Sequence, residues 1–328
     1  MNKPKLDSPI LLIGGTGRSG TTIFRKIVEL HPDVATIPEW RLLTDPEGII
    51  EYLLLIEQGN PFMLDQAFRR LEKLFDDLQH SSFISRLISR FNKIDKISTR
   101  RITNRYYGID ADKMYPGFKQ AANILFEELA DFHWYGQYAG MKFGQSKSVA
   151  GIVGDLERAE KIFSSFLNRI ALIAMEQSGK SRFLEKNTWS LLHFDRVSRL
   201  YPRGKMVHIH RDPRDVVASY MKQPWMPSDP CQSAIILKRL MDMWWSAKEK
   251  VSSDLWLEID LNDLVVNTEQ VLKKVCEFWE IDFAHEMMQI DLSCSNAGRW
   301  KKDLNLEQQH QVSIILRDVI DNYNYDSE

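Results

Sequence analysis

Two segments of the sequence carry groups that could bind anions. The first follows the apolar run at residues 9–13 and reads Gly15-Thr16-Gly17-Arg18-Ser19-Gly20-Thr21-Thr22. Glycines let a turn point successive backbone N–H groups at one anion, and the helix that follows adds its N-terminal N–H groups and dipole. Arg18 adds a planar guanidinium that suits phosphate or sulfate oxygens. The segment therefore predicts a phosphate-binding loop.

This loop departs from the Walker A motif of nucleoside-triphosphate enzymes at one position. Gly15 and Gly20 have the Walker A spacing, but Thr21 stands where the motif has its lysine. That lysine binds the β and γ phosphates, so its absence argues against ATP or GTP hydrolysis. It favours a donor with fewer phosphates in line. A magnesium-dependent P-loop kinase remains an alternative.

The second segment begins where another predicted strand, residues 206–210, ends. Arg211 follows this strand directly, and Asp212 and Pro213 suit the N-cap and first turn of a helix. Ser219 falls two turns further along, on the same side as Arg211. Ligands of open α/β sheets bind beyond the carboxyl ends of the strands. We therefore predict that Arg211 and Ser219 bind a second, separate phosphate.

The elements that must position these groups alternate between strands and helices. Such alternation implies parallel pairing with crossover helices, so we predict an α/β fold. It is a P-loop-like open parallel sheet flanked by helices. Strands are predicted at 9–13, 34–37, 182–185, 206–210 and 255–259, and helices at 21–30, 189–200, 212–222, 232–251 and 267–280.

Residues 44–179 show no strand pattern. We treat the chain 1–328 as a single domain with this span as a mainly helical insertion that shapes the acceptor site. We expect the tail at 321–328 to be frayed. Helices are predicted within the insertion at 46–58, 62–79, 81–91, 117–133 and 155–178.

Composition excludes several classes of protein. A formal net charge of -2 and a pI of about 6.5 give no reason to expect a nucleic-acid partner. The 3 cysteines form no CxxC pair, which argues against a zinc site or a disulfide framework. No signal-peptide core and no run of 18 apolar residues occur. We expect a cytoplasmic protein with no membrane span and no metal.

In this order, the two segments resemble the nucleotide-binding motifs of the PAPS-dependent sulfotransferases. These enzymes use 3′-phosphoadenosine-5′-phosphosulfate (PAPS) and release PAP. The family reads the 5′-phosphosulfate with a loop like residues 18–22, and the 3′-phosphate with an Arg and a Ser spaced like Arg211 and Ser219. Gly298-Arg299-Trp300-Lys301-Lys302 is similar to the family's late basic loop, which closes over the nucleotide. The likeness covers residues 8–41 and 181–302.

The resemblance is nearer to the bacterial and tyrosylprotein branch, and it implies roles for three side chains. Glu39 matches that branch's catalytic glutamate, a general base whose pKa a dry acceptor pocket would raise. Lys186 would steady the leaving oxygen or the transferred group, together with Arg18. Another branch uses a histidine base, and His133 is the histidine that fits that alternative.

The resemblance thus implies an enzyme of the EC 2.8.2 class, a PAPS-dependent sulfotransferase that works in line and without metal. Its acceptor would be a hydroxyl or amine of a small molecule or a carbohydrate. The alternatives are a P-loop-like nucleotide kinase and a non-catalytic nucleotide-binding module, which would need neither Glu39 nor Lys186. Acceptor identity and oligomeric state stay open. Predicted donor-binding residues are Gly15, Gly17, Arg18, Ser19, Gly20, Thr21, Thr22, Arg211, Ser219, Arg299, Trp300 and Lys301.

Overall fold

The computed structural model describes residues 8–79, 110–141, 148–152, 154–292 and 297–325. The chain forms two compact units. The first comprises Met1–Trp40 and Ser178–Glu328, and the second comprises Arg41–Gln177. The second unit corresponds closely to the span that the sequence separates as an insertion.

The elements are numbered in chain order. The strands are β1 (Ile10–Gly14), β2 (Val34–Thr36), β3 (Ala130–Tyr135), β4 (Ser148–Ile152), β5 (Arg182–Lys186), β6 (Gly204–His210) and β7 (Trp256–Asp260). The α-helices are α1 (Thr21–Glu29), α2 (Ile49–Gln58), α3 (Pro61–Gln79), α4 (Ala111–Met114), α5 (Phe118–Leu129), α6 (Leu156–Ser178), α7 (Phe194–Leu200), α8 (Pro213–Tyr220), α9 (Pro230–Lys248), α10 (Leu261–Val266), α11 (Thr268–Trp279), α12 (Trp300–Asp303), α13 (Leu306–Ile315) and α14 (Arg317–Asn322). Short 3₁₀ turns occur at Ser190–His193, Ser253–Leu255 and His285–Gln289.

The first unit is built on a five-stranded sheet in the order β2-β5-β1-β6-β7. All four strand pairs are parallel, which confirms the predicted parallel sheet. The central strand β1 is buried along its whole length, as its uninterrupted apolar sequence requires. Because every strand runs the same way, their carboxyl ends share one edge of the sheet. The loops that follow β1, β2, β5, β6 and β7 all leave from that edge.

Helices cover both faces of this sheet. Leu11 and Ile13 of β1 share a buried cluster with Phe24 of α1 and Trp279 of α11. On the opposite face, His208 of β6 packs edge-on against Trp244 of α9, with their ring centroids 5.2 Å apart. Alternate residues of one strand therefore meet different helix layers, as the two-residue period of a strand dictates. The prediction of a helix-flanked sheet is confirmed.

The second unit is mainly helical and also contains a two-stranded antiparallel sheet of β3 and β4. The helix predicted over 117–133 is therefore wrong over its last four residues, because α5 ends at Leu129. Aromatic residues of β3, including Phe132 and Trp134, suit a strand better than a helix. Asp65 of α3 anchors β4 by accepting the Ala150 N–H at 2.9 Å. The helix predicted at 81–91 lies outside the described residues.

The segment after α14 is ordered through Tyr325, so the expectation of fraying is wrong for residues 321–325. Tyr323 stacks on His210, with ring centroids 4.1 Å apart, and its hydroxyl donates to Glu258 at 2.5 Å. Residues 326–328 lie outside the described ranges. Among the helices that the structure describes, none is both long and apolar enough to cross a membrane.

Candidate functional site

The glycine-rich loop between β1 and α1 takes a conformation that depends on its glycines. Gly17 and Gly20 have φ values of 87° and 108°, in the left-handed region that glycine favours. A Cβ atom on Gly15 would lie 2.6 Å from the Ser19 hydroxyl oxygen, and one on Gly20 would lie 2.7 Å from Leu261. The loop is therefore packed tightly enough to exclude side chains at both ends.

Polar groups of this loop are available to hydrogen-bond a ligand. Ser19 is 1% exposed, and its hydroxyl has no hydrogen-bond partner within the described part of the chain. Gly20 is the N-cap residue of α1 and has no side chain that could bond the N–H groups of the first helical turn. A buried hydroxyl without a partner and open N–H groups at a helix N-terminus both suit an anion. The residues of the loop thus fit a phosphate or sulfate group.

One hydrogen bond joins the two segments that the sequence identified. Arg18, at the tip of the loop, donates from Nε to the Ser219 hydroxyl oxygen on α8 at 3.0 Å. Arg18 has a φ of 57°, an uncommon conformation for a residue with a side chain. Ser219 is buried, and its hydroxyl faces the loop. Its predicted role in binding a phosphate together with Arg211 stays a prediction. The two predicted anion sites are therefore neighbours in space.

Arg211, which follows β6, is held by Asp215 one turn into α8. Its Nη2 donates to Asp215 Oδ2 at 3.0 Å, and both side chains are largely buried. The same carboxylate accepts the backbone N–H groups of Gly298 at 2.9 Å and Trp300 at 3.0 Å. Asp215 therefore links the second segment to the late basic loop. Sequence reasoning missed Asp215, which reads locally as an ordinary acidic residue in a first helical turn.

The start of α8 is as predicted. Asp212 is the N-cap and accepts the Arg214 N–H at 2.9 Å, and Pro213 occupies the first turn. The Asp212 carboxylate also binds the Arg214 guanidinium, through bonds of 3.0 and 2.8 Å. That guanidinium lies 4.1 Å from the centroid of the Trp300 ring. Trp300 is buried, so its ring has a packing role here, and its predicted contact with nucleotide stays a prediction.

Two of the three basic residues of the late loop, Arg299 and Lys301, make local contacts. Arg299 binds Asp303 through Nε and Nη2, both at 2.9 Å, and Lys222 binds the same carboxylate at 2.8 Å. The Lys301 ammonium lies 5.4 Å from the centroid of the Trp300 ring. The loop is thus fixed to α8 and to the segment after it. Its backbone, rather than these basic side chains, contacts Asp215.

A cavity of about 570 Å³ opens between the phosphate loop, the start of α8 and the late loop. This volume falls within the range of about 300–1,000 Å³ that is usual for small-molecule sites. The cavity is lined by Arg18, Gly20, Thr21, Thr22 and Arg211 among the predicted donor-binding residues. The other predicted residues, Gly15, Gly17, Ser19, Ser219, Arg299, Trp300 and Lys301, do not belong to its lining. Ser219 does not line the cavity itself, but it is hydrogen-bonded to Arg18, which does.

Tyr325 and Asp260 form another part of the cavity wall. The Tyr325 hydroxyl donates to the Asp260 carboxylate and lies 2.7 Å from His210 Nδ1. Burial, with the neighbouring His208, lowers the pKa of His210 to about 3, so this ring is neutral. His210 therefore donates to Tyr325. No sequence signal pointed to Tyr325, because the segment that carries it was expected to be frayed.

On the other side of the loop, Glu39 lies between Lys186 and Thr188. The Lys186 ammonium, at the end of β5, donates to Glu39 Oε2. Glu39 Oε1 accepts the Thr188 hydroxyl at 2.9 Å and the Thr188 N–H at 3.3 Å. The carbonyl of Thr188 in turn accepts the Gly15 N–H at 2.9 Å. The structure thus brings the predicted base and lysine together, and Thr188, which sequence reasoning missed, connects them to the phosphate loop.

The expected rise in the pKa of Glu39 is wrong. Partial burial does raise this pKa, but the hydrogen bond and positive charge of Lys186, with two hydrogen bonds from Thr188, outweigh it. The net effect holds the pKa below its ordinary value of 4.5. The prediction considered burial but not a direct contact between Glu39 and Lys186, and an adjacent opposite charge commonly outweighs partial desolvation.

His133, the alternative base, lies on the exposed strand β3 in the second unit. Its ring packs edge-on against Phe68, with centroids 6.4 Å apart. Over the part of the chain that the structure describes, no group of three or more His, Cys, Asp or Glu side chains could hold a metal ion. Metal independence itself stays a prediction.

The chain is similar in sequence to a known protein family and in fold to solved structures. The model of the sulfotransferase family matches residues 9–285. The sulfotransferase domain of the Synechococcus PCC 7002 olefin synthase superposes with a TM-score of 0.50 at 16% identity, covering 99% of this chain and 98% of that one. Sulfotransferase STF1 from Mycobacterium tuberculosis H37Rv gives 0.45 at 14% identity, covering 94% and 76%. STF9 from Mycobacterium avium gives 0.46 at 14%, covering 98% and 78%. No curated protein sequence matches the chain.

Proposed function

Because the chain belongs to the sulfotransferase family, we propose that it transfers a sulfuryl group from PAPS to a hydroxyl or amine of a small-molecule or carbohydrate acceptor. The family match supports sulfuryl transfer as the reaction. The observation that carries the choice of donor is the Arg18–Ser219 hydrogen bond, which joins two anion-binding segments beside one cavity. A donor with two separate anionic groups can occupy such a site.

Different residues around the cavity bind different parts of the donor. The phosphate loop and the N-terminus of α1 bind the phosphosulfate end, where Ser19 and Arg18 supply donors. Arg211 and Ser219 bind the 3′-phosphate, and Asp215 orients Arg211 for it. The backbone around Gly298, bound to the same Asp215, closes the cavity on that side. When bound, PAPS supplies the sulfuryl group that the acceptor takes.

Glu39 is the proposed general base, and its contacts define what it can do. Its low pKa keeps the carboxylate ionised at neutral pH, so it is ready to accept the acceptor's proton. Thr188 fixes one carboxylate oxygen, and Lys186 occupies the other. Lys186 and Arg18 place two positive charges around the loop, where negative charge gathers during transfer. No step requires a metal, because these cations and the N–H groups of the loop offset that charge.

A thermal-shift titration with PAP and a transfer assay with radiolabelled PAPS test the proposal. PAP at about 100 times its dissociation constant should add about 2.7 kcal/mol to the free energy of unfolding. Transfer to a mixed panel of alcohols, phenols, amines and sugars should continue in EDTA. Magnesium-dependent turnover of ATP would instead establish a kinase. PAP binding without any transfer would establish a non-catalytic nucleotide-binding module.

Replacing Arg18 separates catalysis from folding. Arg18→Ala should lower turnover by about 10²–10³ with saturating PAPS, because it removes charge from the transfer site. Arg25→Ala is the matched control, since Arg25 lies on α1 and pairs with Glu29 at 2.5 Å. Near-normal turnover of Arg18→Ala would contradict the proposed site.

A further inference from the structure

Trp225 stands beside the phosphate loop with half of its side chain exposed. The position that a Cβ atom of Gly17 would occupy lies 3.7 Å from Trp225 Cη2 and 3.9 Å from Thr188 Cγ2. The edge of the indole and the residue that holds Glu39 therefore flank the same point of the loop. Tyr220 contacts the indole edge-on, with ring centroids 5.5 Å apart.

The segment that carries Trp225 is fixed at both ends. The Gln223 N–H donates to the Tyr220 carbonyl at 2.7 Å, and the Ser233 hydroxyl donates to the Pro227 carbonyl at 2.9 Å. Asp229 caps α9 by accepting the Gln232 N–H at 2.8 Å. An exposed aromatic side chain on a fixed segment loses little conformational entropy when a ligand covers it. Trp225 thus has the properties of a binding surface.

The donor cavity does not include this surface. Its lining contains Arg18 and Gly20 but not Gly17, Thr188 or Trp225, all of which belong to the described residues. The face of the loop at Gly17 instead adjoins the Thr188–Glu39 contact. A group whose proton Glu39 accepts must approach Thr188, and Trp225 borders that approach across Gly17.

We propose that Trp225 is the acceptor platform, and that the acceptor carries its hydroxyl on a ring whose flat face packs on the indole. This inference rests on the proposed sulfuryl transfer and deepens it by naming the class of acceptor. An aromatic ring and the C–H face of a sugar ring share this chemistry, because both present a flat apolar face to an aromatic side chain. An open-chain alcohol or amine lacks such a face.

Sulfuryl transfer from PAPS to three probe acceptors distinguishes an aromatic acceptor from a sugar and both from an open-chain alcohol. The probes are 2-naphthol, methyl β-D-glucopyranoside and the open-chain 1,6-hexanediol. We expect transfer to at least one ring acceptor with a kcat/KM at least about tenfold above that of hexanediol. The preferred ring shows whether the platform takes an aromatic acceptor or a sugar. A preference for hexanediol, or transfer to neither ring, would overturn the proposal.

Variants of Trp225 test the platform itself. Trp225→Ala should raise KM for the preferred ring acceptor about tenfold, while KM for PAPS changes less than twofold. Trp225→Phe should keep most of the affinity, because it retains a flat ring. Leu306→Ala, at an 83% exposed apolar residue, is the control for a general surface effect. An unchanged acceptor KM in Trp225→Ala would overturn the platform.

A thermal-shift measurement of acceptor binding tests the role of Trp225 without relying on turnover. With PAP bound, the preferred ring acceptor should raise the Tm of the wild type and of Trp225→Phe, but not of Trp225→Ala. If PAP itself raises no Tm and no acceptor is used, the proposed function fails. If PAP binds and transfer occurs but Trp225→Ala behaves as wild type, only the platform fails.

Discussion

The donor side and the transfer side of the same sheet edge are held together by different kinds of contact. At the start of α8, on the donor side, partners are close in sequence: Arg211 binds Asp215 four residues away, and Asp212 caps the helix that begins with Pro213. On the transfer side, Glu39 binds Lys186 across 147 residues. A local motif can therefore specify the start of α8, whereas the Glu39–Lys186 contact, like the Arg18–Ser219 contact across 201 residues, exists only in the folded sheet.

The comparison also concerns charge. The donor side keeps a buried hydroxyl without a partner at Ser19 within the described chain, whereas the transfer side pairs its carboxylate and ammonium with each other. The Ser19 hydroxyl can therefore bind an anion directly. The Lys186 ammonium is already paired with Glu39, so a ligand must compete with Glu39 for it. We therefore expect changes at Glu39 and Lys186 to affect turnover, and changes at Asp215 and Tyr325 to affect nucleotide affinity.

The largest expected effect is that of Glu39→Gln. Loss of the base should lower kcat by about 10²–10⁴, while the Tm increase caused by PAP should stay close to that of the wild type. Glu29→Gln is a matched control, because Glu29 is also ion-paired and its side chain is 31% exposed, against 30% for Glu39. A parallel loss of PAP binding in Glu39→Gln would remove the distinction between the two sides.

The second-largest effect is expected for Asp215→Asn, which should weaken PAP binding and lower the stability of the protein. The substitution removes the negative charge that faces the largely buried Arg211 at 3.0 Å, so we expect a lower free energy of unfolding. Calorimetry should show a dissociation constant for PAP raised about tenfold or more. Asp303→Asn should have a smaller effect, because the basic side chains that pair with Asp303, those of Arg299 and Lys222, are partly exposed. Equal effects of the two variants would contradict the role given to Asp215.

The pH dependence should distinguish the two sides more finely. In the wild type, the low pKa of Glu39 predicts no acid limb in kcat/KM from this group above about pH 5. In Lys186→Gln, burial remains but the ammonium is gone, so the pKa of Glu39 should rise. The residual kcat/KM of this variant should then fall on acidification at a higher pH than that of the wild type. Profiles of the same shape for both proteins would show that Lys186 does not set this pKa.

The smallest effect is expected for Tyr325→Phe. This change removes the hydroxyl that donates to Asp260 and leaves that carboxylate less neutralised in the wall of an anion-binding cavity. The dissociation constant for PAP should rise about 2- to 10-fold, the value of one hydrogen bond. Turnover at saturating PAPS should change little. An unchanged PAP affinity would restrict the donor side to the phosphate loop, α8 and the late loop.

The sequence by itself determined the parallel sheet, the glycine-rich loop and the cap at Asp212. Each depends on contacts within a few residues: an apolar run that must be buried, glycines that adopt positive φ, and a side chain that accepts a nearby N–H. Sequence periodicity failed for β3, because a short aromatic run after α5 does not distinguish a strand from the continuation of a helix. It also failed after α14, where ordering depends on His210 and Glu258 from distant strands.

Only the tertiary structure decided which groups meet at the carboxyl edge. It placed Ser219 against Arg18, Asp215 against the late loop, and Thr188 between Glu39 and Gly15. It also reversed the direction expected for the pKa of Glu39, because a pKa depends on the charges within a few ångströms and not on the residue type. Sequence determines which groups are available, and the register of the parallel strands determines which of them are close enough to interact.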